Sequence, residues 1–224
     1  MSAPDLCQAF ETGQKEGKNL ENQDQQMAAR AAKIIRIITL PPFMIAALLL
    51  VLDHFTADMF TERRDLIIAW IGLVLLPLLA YPVHGLIPGL RKTGREGQRA
   101  TGFVFSLVGY VAVFIDGFFA SSGKVRLLFS VYFFTVVILS ILNKAAHIRA
   151  SGHAASSVSP CVFSGMYVGI LPCCLFSVVF LLSVVSSVYL KRHKVSDIIA
   201  GIVSFVFAFC LSCLLVNLTG QSIS

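Results

Sequence analysis

Two histidines and one aspartate have the spacing that nucleophilic chemistry requires. His193 and Asp197 are related as i and i+4. On a helical turn such residues share a face, so the carboxylate would hold the imidazole in the tautomer needed for attack. His153 follows Ser151-Gly152 at the start of an apolar run, where free backbone amides and the helix dipole favour an anion. These residues predict a site that binds and attacks an anionic group.

Basic residues elsewhere in the sequence carry the positive charge that binding of a phosphoryl group needs. Lys92 and Arg99 bracket a glycine-containing segment, which we expect to be flexible. Cleaving a phosphate ester without a metal requires cations on the phosphoryl oxygens, a nucleophile, and an acid for the leaving oxygen. Three polar clusters, residues 91–99, 143–153 and 191–197, contain these groups. The alternative for Lys92 and Arg99 is that they only orient membrane helices.

The elements that position these residues are expected to be membrane helices. Of the 224 residues, 56% are hydrophobic and 13% are charged, which excludes an ordinary soluble domain because a soluble surface needs polar residues. The apolar runs approach the roughly 20 residues that cross a bilayer, and they lack the alternation of barrel strands. We therefore predict an all-α, polytopic transmembrane helical bundle of six to seven spans. The net charge of +6 lies mostly between apolar runs, which suits membrane lipids rather than nucleic acid.

The predicted organisation is a polar N-terminal tail (1–33), a membrane domain (34–218) and a short C-terminal tail (219–224). We expect Pro172 to separate the fifth apolar run from the sixth. The seven runs are 34–52, 66–86, 101–120, 125–142, 154–170, 172–190 and 198–218.

Counting the crossings places the three polar clusters on one membrane face, because two runs separate each cluster from the next. That face, which includes the tail, holds all but four of the 18 Lys and Arg residues; the four are Arg63, Arg64, Lys124 and Arg126. By the positive-inside rule, we expect this face and the N-terminus to be cytoplasmic.

The three clusters also match one family pattern in order. The matching residues are Lys92 and Arg99, then Ser151-Gly152-His153, then Ser186, His193 and Asp197. In this arrangement the chain resembles the type 2 phosphatidic acid phosphatase family of membrane phosphatases, whose pattern is K-x6-R-P, P-S-G-H and S-R-x5-H-x3-D. The resemblance covers residues 91–201 and implies the helical core of that family.

The resemblance implies a role for each matching residue. His193 would attack phosphorus to give a phosphohistidine, Asp197 would orient it, and His153 would protonate the leaving group and then help water to release phosphate. No metal or organic cofactor is implied. The expected substrate is a lipid phosphate or isoprenyl diphosphate, whose tail stays in the bilayer. The phosphoryl oxygens would be held by Lys92, Arg99, Ser151 and the Gly152 amide.

Three positions depart from the family pattern. Ala100 and Ala150 replace prolines, which changes loop stiffness, while Ser187 replaces the arginine of the third motif and removes a phosphate-binding cation. Ser187 favours an alternative, a non-catalytic lipid-phosphate binding or transport protein of the same fold. A phosphotransferase is a third possibility. If the site is catalytic, we expect a neighbouring cation to compensate: Arg149, Arg192 or Lys191.

Overall fold

The structure is a computed structural model that describes residues 23–120 and 122–221. Within these ranges the chain folds into helices, and no strand is present. The observed fold confirms the predicted all-α helical bundle. The helices of the described ranges are α1 (Gln23–Ile38), α2 (Pro41–Phe55), α3 (Arg63–Leu86), α4 (Pro88–Arg91), α5 (Gly94–Gly117), α6 (Gly123–Ala145), α7 (Gly152–Tyr167), α8 (Ile170–Tyr189) and α9 (Val195–Leu218).

Five helices of the described chain, α3, α5, α6, α8 and α9, are each long and apolar enough to cross a membrane. Helices α1 and α2 meet at a bend of 55° and together form a sixth candidate span. The chain is therefore a multi-pass integral membrane protein. The predicted run 154–170 forms α7 instead, whose 16 residues are shorter than the other spans.

Helix α7 is a central packing helix of the bundle. It packs against α2, α8 and α9. Small side chains let these neighbours approach closely, as in other membrane helix interfaces. Ser159 Oγ lies 2.5 Å from the Tyr132 hydroxyl of α6. The buried residues of α7 include Ala154, Ala155, Ser157, Ser159, Phe163 and Ser164.

The break between α7 and α8 lies at Gly169, so the predicted break at Pro172 is wrong. Gly169 has a φ of 138°, a conformation that residues with a side chain rarely adopt. Pro172 lies in the first turn of α8, where its missing N–H breaks no intrahelical hydrogen bond.

Helix α1 extends across the predicted boundary between tail and membrane domain, because it runs from Gln23 through residue 33. It ends at the bend before Pro41-Pro42, where the proline ring keeps the preceding Leu40 out of the helical region (φ −56°, ψ 142°). The C-terminal end of α1 lies beside the start of α7. There Thr39 contacts His153.

At the opposite end of the bundle, basic side chains have acidic partners. Arg64 of α3 pairs with the buried Asp116 of α5. Lys124 Nζ, at the start of α6, lies 2.7 Å from Asp58 Oδ2. The first pair joins two helices, and the second ties the loop after α2 to α6. The end where α7 begins has a different arrangement.

Candidate anion site

A cavity of about 560 Å³ lies where α7 begins, and we call it the cationic cavity. Its wall combines residues from all three polar clusters with Arg36 of α1. None of the acidic side chains that the structure describes lines it. The cavity is therefore positively charged and suited to an anion. Its basic and histidine side chains are Arg36, Arg99, His153, Arg192 and His193.

The Ser151-Gly152-His153 turn docks onto the first turn of α9. The Ser151 N–H donates to the Asp197 carbonyl oxygen at 2.8 Å. Gly201 allows this approach, because a Cβ at that position would overlap the Ser151 carbonyl oxygen. Ser151 Oγ accepts from the Ala154 N–H at 3.2 Å and caps α7. Of the two predicted phosphate ligands in this turn, Gly152 lines the cavity and Ser151 serves as the cap.

Asn143, at the end of α6, holds the chain just before this turn. Its Nδ2 donates to the carbonyl oxygens of Leu139 at 2.8 Å and Ala150 at 3.2 Å. Its Oδ1 accepts from the Ala150 N–H at 3.0 Å. The paired bonds fix Ala150 against α6 and so set the position of the following turn. The sequence showed only an asparagine within a polar cluster.

His153 is held by two buried hydroxyl groups that the motifs did not predict. Its Nε2 lies 2.7 Å from Ser183 Oγ of α8 and 3.3 Å from Thr39 Oγ1. Both hydroxyl residues are almost completely buried, at 1% and 2% exposure. In this conformation Nε2 faces the hydroxyls, so proton transfer to a bound ligand would use Nδ1 or follow a ring rotation.

His193 and Asp197 meet, although not on a helical face as the spacing predicted. His193 precedes α9, whose N-cap is Lys194, and Asp197 lies in the first turn. Asp197 Oδ2 accepts from the Lys194 N–H at 3.1 Å. The same oxygen lies 3.6 Å from His193 Nδ1, within ion-pair range but longer than a hydrogen bond. With Nδ1 beside Asp197, Nε2 is the ring nitrogen for attack on a ligand.

The surroundings of His193 favour the neutral imidazole. Burial lowers the pKa of His193 below its ordinary value, and the positive charge of Arg36 lowers it further. The Asp197 carboxylate offsets part of this shift. A neutral imidazole has the lone pair that a nucleophile requires, so His193 stays competent at a lower pH than a free histidine would.

The first predicted motif is divided between two places. Both residues are exposed, but Arg99 lines the cationic cavity, whereas Lys92 lies beside a separate depression with Leu86 and Arg91. The reason is that the expected flexible segment is helical, in α4 and the first turns of α5. A short turn at residues 92–93 separates these helices, and Lys92 is not among the residues that line the cavity.

The three predicted compensating cations also differ in their positions. Arg192 lines the cationic cavity, and its N–H donates to the Ser187 carbonyl oxygen at 3.0 Å. Arg149 is exposed yet close enough to lower the pKa of His193. Lys191 is exposed and lies outside the lining. Ser187 itself is buried, so its backbone positions Arg192 while its side chain stays away from solvent.

Comparison with known proteins gave no relative. No protein-family model, curated protein or solved structure matches the chain.

An apolar cavity of about 430 Å³ adjoins the cationic one. Its walls come mainly from α5 and α6 and include Tyr110, Tyr132, Val136 and Leu139. Because the two cavities share part of their lining, a charged region and an apolar region are contiguous. The shared residues are Pro41, Arg99, Gly102, Phe103, Ser106 and Gly152.

Proposed function

We propose that this protein is a membrane-embedded phosphatase of lipid phosphates or diphosphates that acts through a phosphohistidine on His193. The observation that carries the proposal is the cationic cavity, in which two histidines and several arginines meet with no acidic side chain from the described residues. The resemblance of residues 91–201 to the type 2 phosphatidic acid phosphatases supports it. A phosphoryl group needs this combination of cations, nucleophile and acid.

The positions of the side chains suggest how the reaction would proceed. Arg99 and Arg192 bind the phosphoryl oxygens together with the Gly152 amide. Burial and the charge of Arg36 lower the pKa of His153 to about 4, so His153 takes up its proton when the negative charge of the bound substrate offsets them. His193 Nε2 attacks phosphorus while the bond from phosphorus to the lipid oxygen breaks, and protonated His153 gives that oxygen its proton. Water then attacks the phosphohistidine and gives a proton to His153, the bond from phosphorus to His193 Nε2 breaks, and inorganic phosphate leaves. Asp197 stabilises the positive charge that the His193 imidazole carries while it is bonded to phosphorus.

The adjoining apolar cavity supports a lipid as the substrate. A lipid chain that enters it from the bilayer stays out of water, which would otherwise cost roughly 0.8 kcal/mol for each exposed methylene group. A substrate with a phosphate at one end and a chain at the other fits both cavities, since Arg99 and Phe103 line each of them. A phosphatidate, a phosphatidylglycerophosphate and an isoprenyl diphosphate all have this form.

We also propose that the cationic cavity opens towards the cytoplasm. The support is the charge distribution, in which Arg63, Arg64, Lys124 and Arg126 are the only basic residues of the sequence assigned to the other face. A glycosylation acceptor inserted between α2 and α3 should be modified, and one fused to residue 1 should not. The reverse pattern would contradict this orientation.

Phosphate release by the full chain in lipid nanodiscs tests the proposed activity. A panel of phosphatidate, phosphatidylglycerophosphate and isoprenyl diphosphate should include at least one substrate. His193→Ala should abolish release, and His147→Ala, at an exposed histidine outside the cavity lining, should not. Equal rates for the wild type and His193→Ala would rule the proposal out.

A second candidate is a lipid-phosphate binding or transport protein without turnover. It is favoured by Ser187, which puts a buried hydroxyl where the family has an arginine, and by the distance of 3.6 Å between His193 Nδ1 and Asp197 Oδ2. This candidate predicts saturable binding of the same lipids, with neither released phosphate nor phosphorylated histidine.

A further inference from the structure

Arg36 lies at the site although it belongs to none of the three motifs. It is on α1, one turn before Thr39, whose Oγ1 is 3.3 Å from His153 Nε2. Residues three apart share a helical face, so Arg36 and Thr39 both face the site. Arg36 accordingly lines the cationic cavity together with His153 and His193.

The guanidinium of Arg36 has donors that the protein leaves unused. Its Nη1 is buried and has no hydrogen-bond partner among the described residues. The arginines whose charges act on it are Arg192 and Arg99, which repel it. Arg36 as a whole is half-buried. Its buried Nη1 donor without an acceptor is unfavourable, and the repulsion from neighbouring cations adds to that cost. An anion in the cavity would relieve both costs, because its oxygens accept from Nη1 and its charge offsets the repulsion.

The position of the missing family arginine cannot supply this group. Ser187 is 3% exposed, and its hydroxyl has no hydrogen-bond partner within the described part of the chain. Its nearest contribution to the cavity is the backbone bond to Arg192. The site therefore lacks a cation on α8 and has an additional one on α1.

We propose that Arg36 is the phosphate-binding arginine of this site and takes the place of the one that Ser187 removes. Its planar fork of donors can bind two oxygens of one terminal phosphate, which a lysine cannot do. Together with Arg99 and Arg192 it surrounds the phosphate with three guanidinium groups. A site of this charge selects a terminal phosphate, with about −1.5 to −2 charges, over a singly charged phosphodiester. The role in turnover rests on the proposed function, whereas phosphate binding can be measured separately.

Binding of inorganic phosphate to the full chain in nanodiscs, measured by calorimetry, tests the assignment. Arg36→Gln should weaken phosphate affinity roughly 10- to 100-fold, the range for losing a charged hydrogen bond. Arg36→Lys keeps the charge without the fork and should lie between the wild type and Arg36→Gln. Arg30→Gln is the matched control, because Arg30 is an exposed arginine of the same helix and lies outside the cavity lining. Its affinity should equal that of the wild type.

Unchanged affinity in Arg36→Gln would overturn the assignment, as would a wild type that binds no phosphate. If Arg36→Gln fails to fold, Arg36→Lys decides: weaker binding supports the assignment and wild-type affinity overturns it. Lipid phosphate hydrolysis separates this inference from the proposed function. If phosphate binding depends on Arg36 but no lipid phosphate is hydrolysed, the binding role of Arg36 stands and the proposed phosphatase activity is wrong. If the wild type and Arg36→Gln hydrolyse a lipid phosphate with the same kcat/KM, the phosphatase activity stands and the role of Arg36 is wrong.

Discussion

Replacing Gly201 with alanine should both destabilise the protein and disturb the site. The new Cβ would overlap the Ser151 carbonyl oxygen and lie 3.4 Å from Ala154 Cβ. The overlapped atom is backbone, so α9 or the Ser151 turn must move. Overpacking of this kind costs about 1–3 kcal/mol. The bond of 2.8 Å from the Ser151 N–H to the Asp197 carbonyl oxygen crosses the same contact and would weaken with it.

Thermal unfolding of the purified protein measures this loss. In a domain of this size 1 kcal/mol shifts Tm by roughly 2–4 °C, so Gly201→Ala should lower Tm by about 2–12 °C. Gly85→Ala is the matched control, since a Cβ at that helical position has no heavy atom within 4 Å. Phosphate release should fall in Gly201→Ala alone, because the Ser151 turn carries His153. Equal melting temperatures for the two variants would refute the close packing of the turn on α9.

Three further predictions concern single groups at the site. Asp197→Asn removes the carboxylate that raises the pKa of His193 against burial and Arg36. Protonation of His193 should then require a lower pH, so the acid limb of the plot of kcat/KM against pH moves to lower pH. A move to higher pH would contradict the interaction between His193 and Asp197. Arg99→Gln should raise the KM for a lipid phosphate roughly 10-fold or more, whereas Lys92→Gln should leave KM unchanged. Equal KM values for the two variants in a steady-state assay would contradict the separate positions of the two residues. Asn143→Ala should lower the free energy of unfolding by about 1–3 kcal/mol, measured by denaturation, and an unchanged value would mean that its bonds do not hold the turn.

Most of the helices could be predicted from the sequence, because membrane spans are defined by length and hydrophobicity. Both quantities can be read directly from runs such as 125–142, which became α6. The wrong helix boundaries were those that a property other than length and hydrophobicity determines. Gly169 ends α7 through its backbone conformation, and an apolar run gives no sign of that. Helix α1 begins within polar residues, where hydrophobicity does not mark a helix.

The meeting of His153 and His193 could also be predicted, since the two helical runs between their clusters, α7 and α8, return the chain to the same end of the bundle, and the cavity contains both. Arg36, Thr39 and Ser183 could not, because no fixed spacing links them to the motifs. The bend before Pro41-Pro42 and the packing of α8 bring them to His153. Lys92 is the opposite case: it has the family spacing to Arg99 but does not line the cavity. The catalytic roles stay predictions that the experiments above address.

The most direct test of the proposed mechanism is a search for phosphate on His193. The full chain in nanodiscs is mixed with a hydrolysed lipid phosphate, quenched rapidly in alkali to preserve phosphohistidine, and analysed by peptide mass spectrometry. The account predicts a transient phosphate on His193 that disappears as inorganic phosphate forms. Phosphate release with no phosphorylated His193 at any time, or release that persists in His193→Ala, would contradict it.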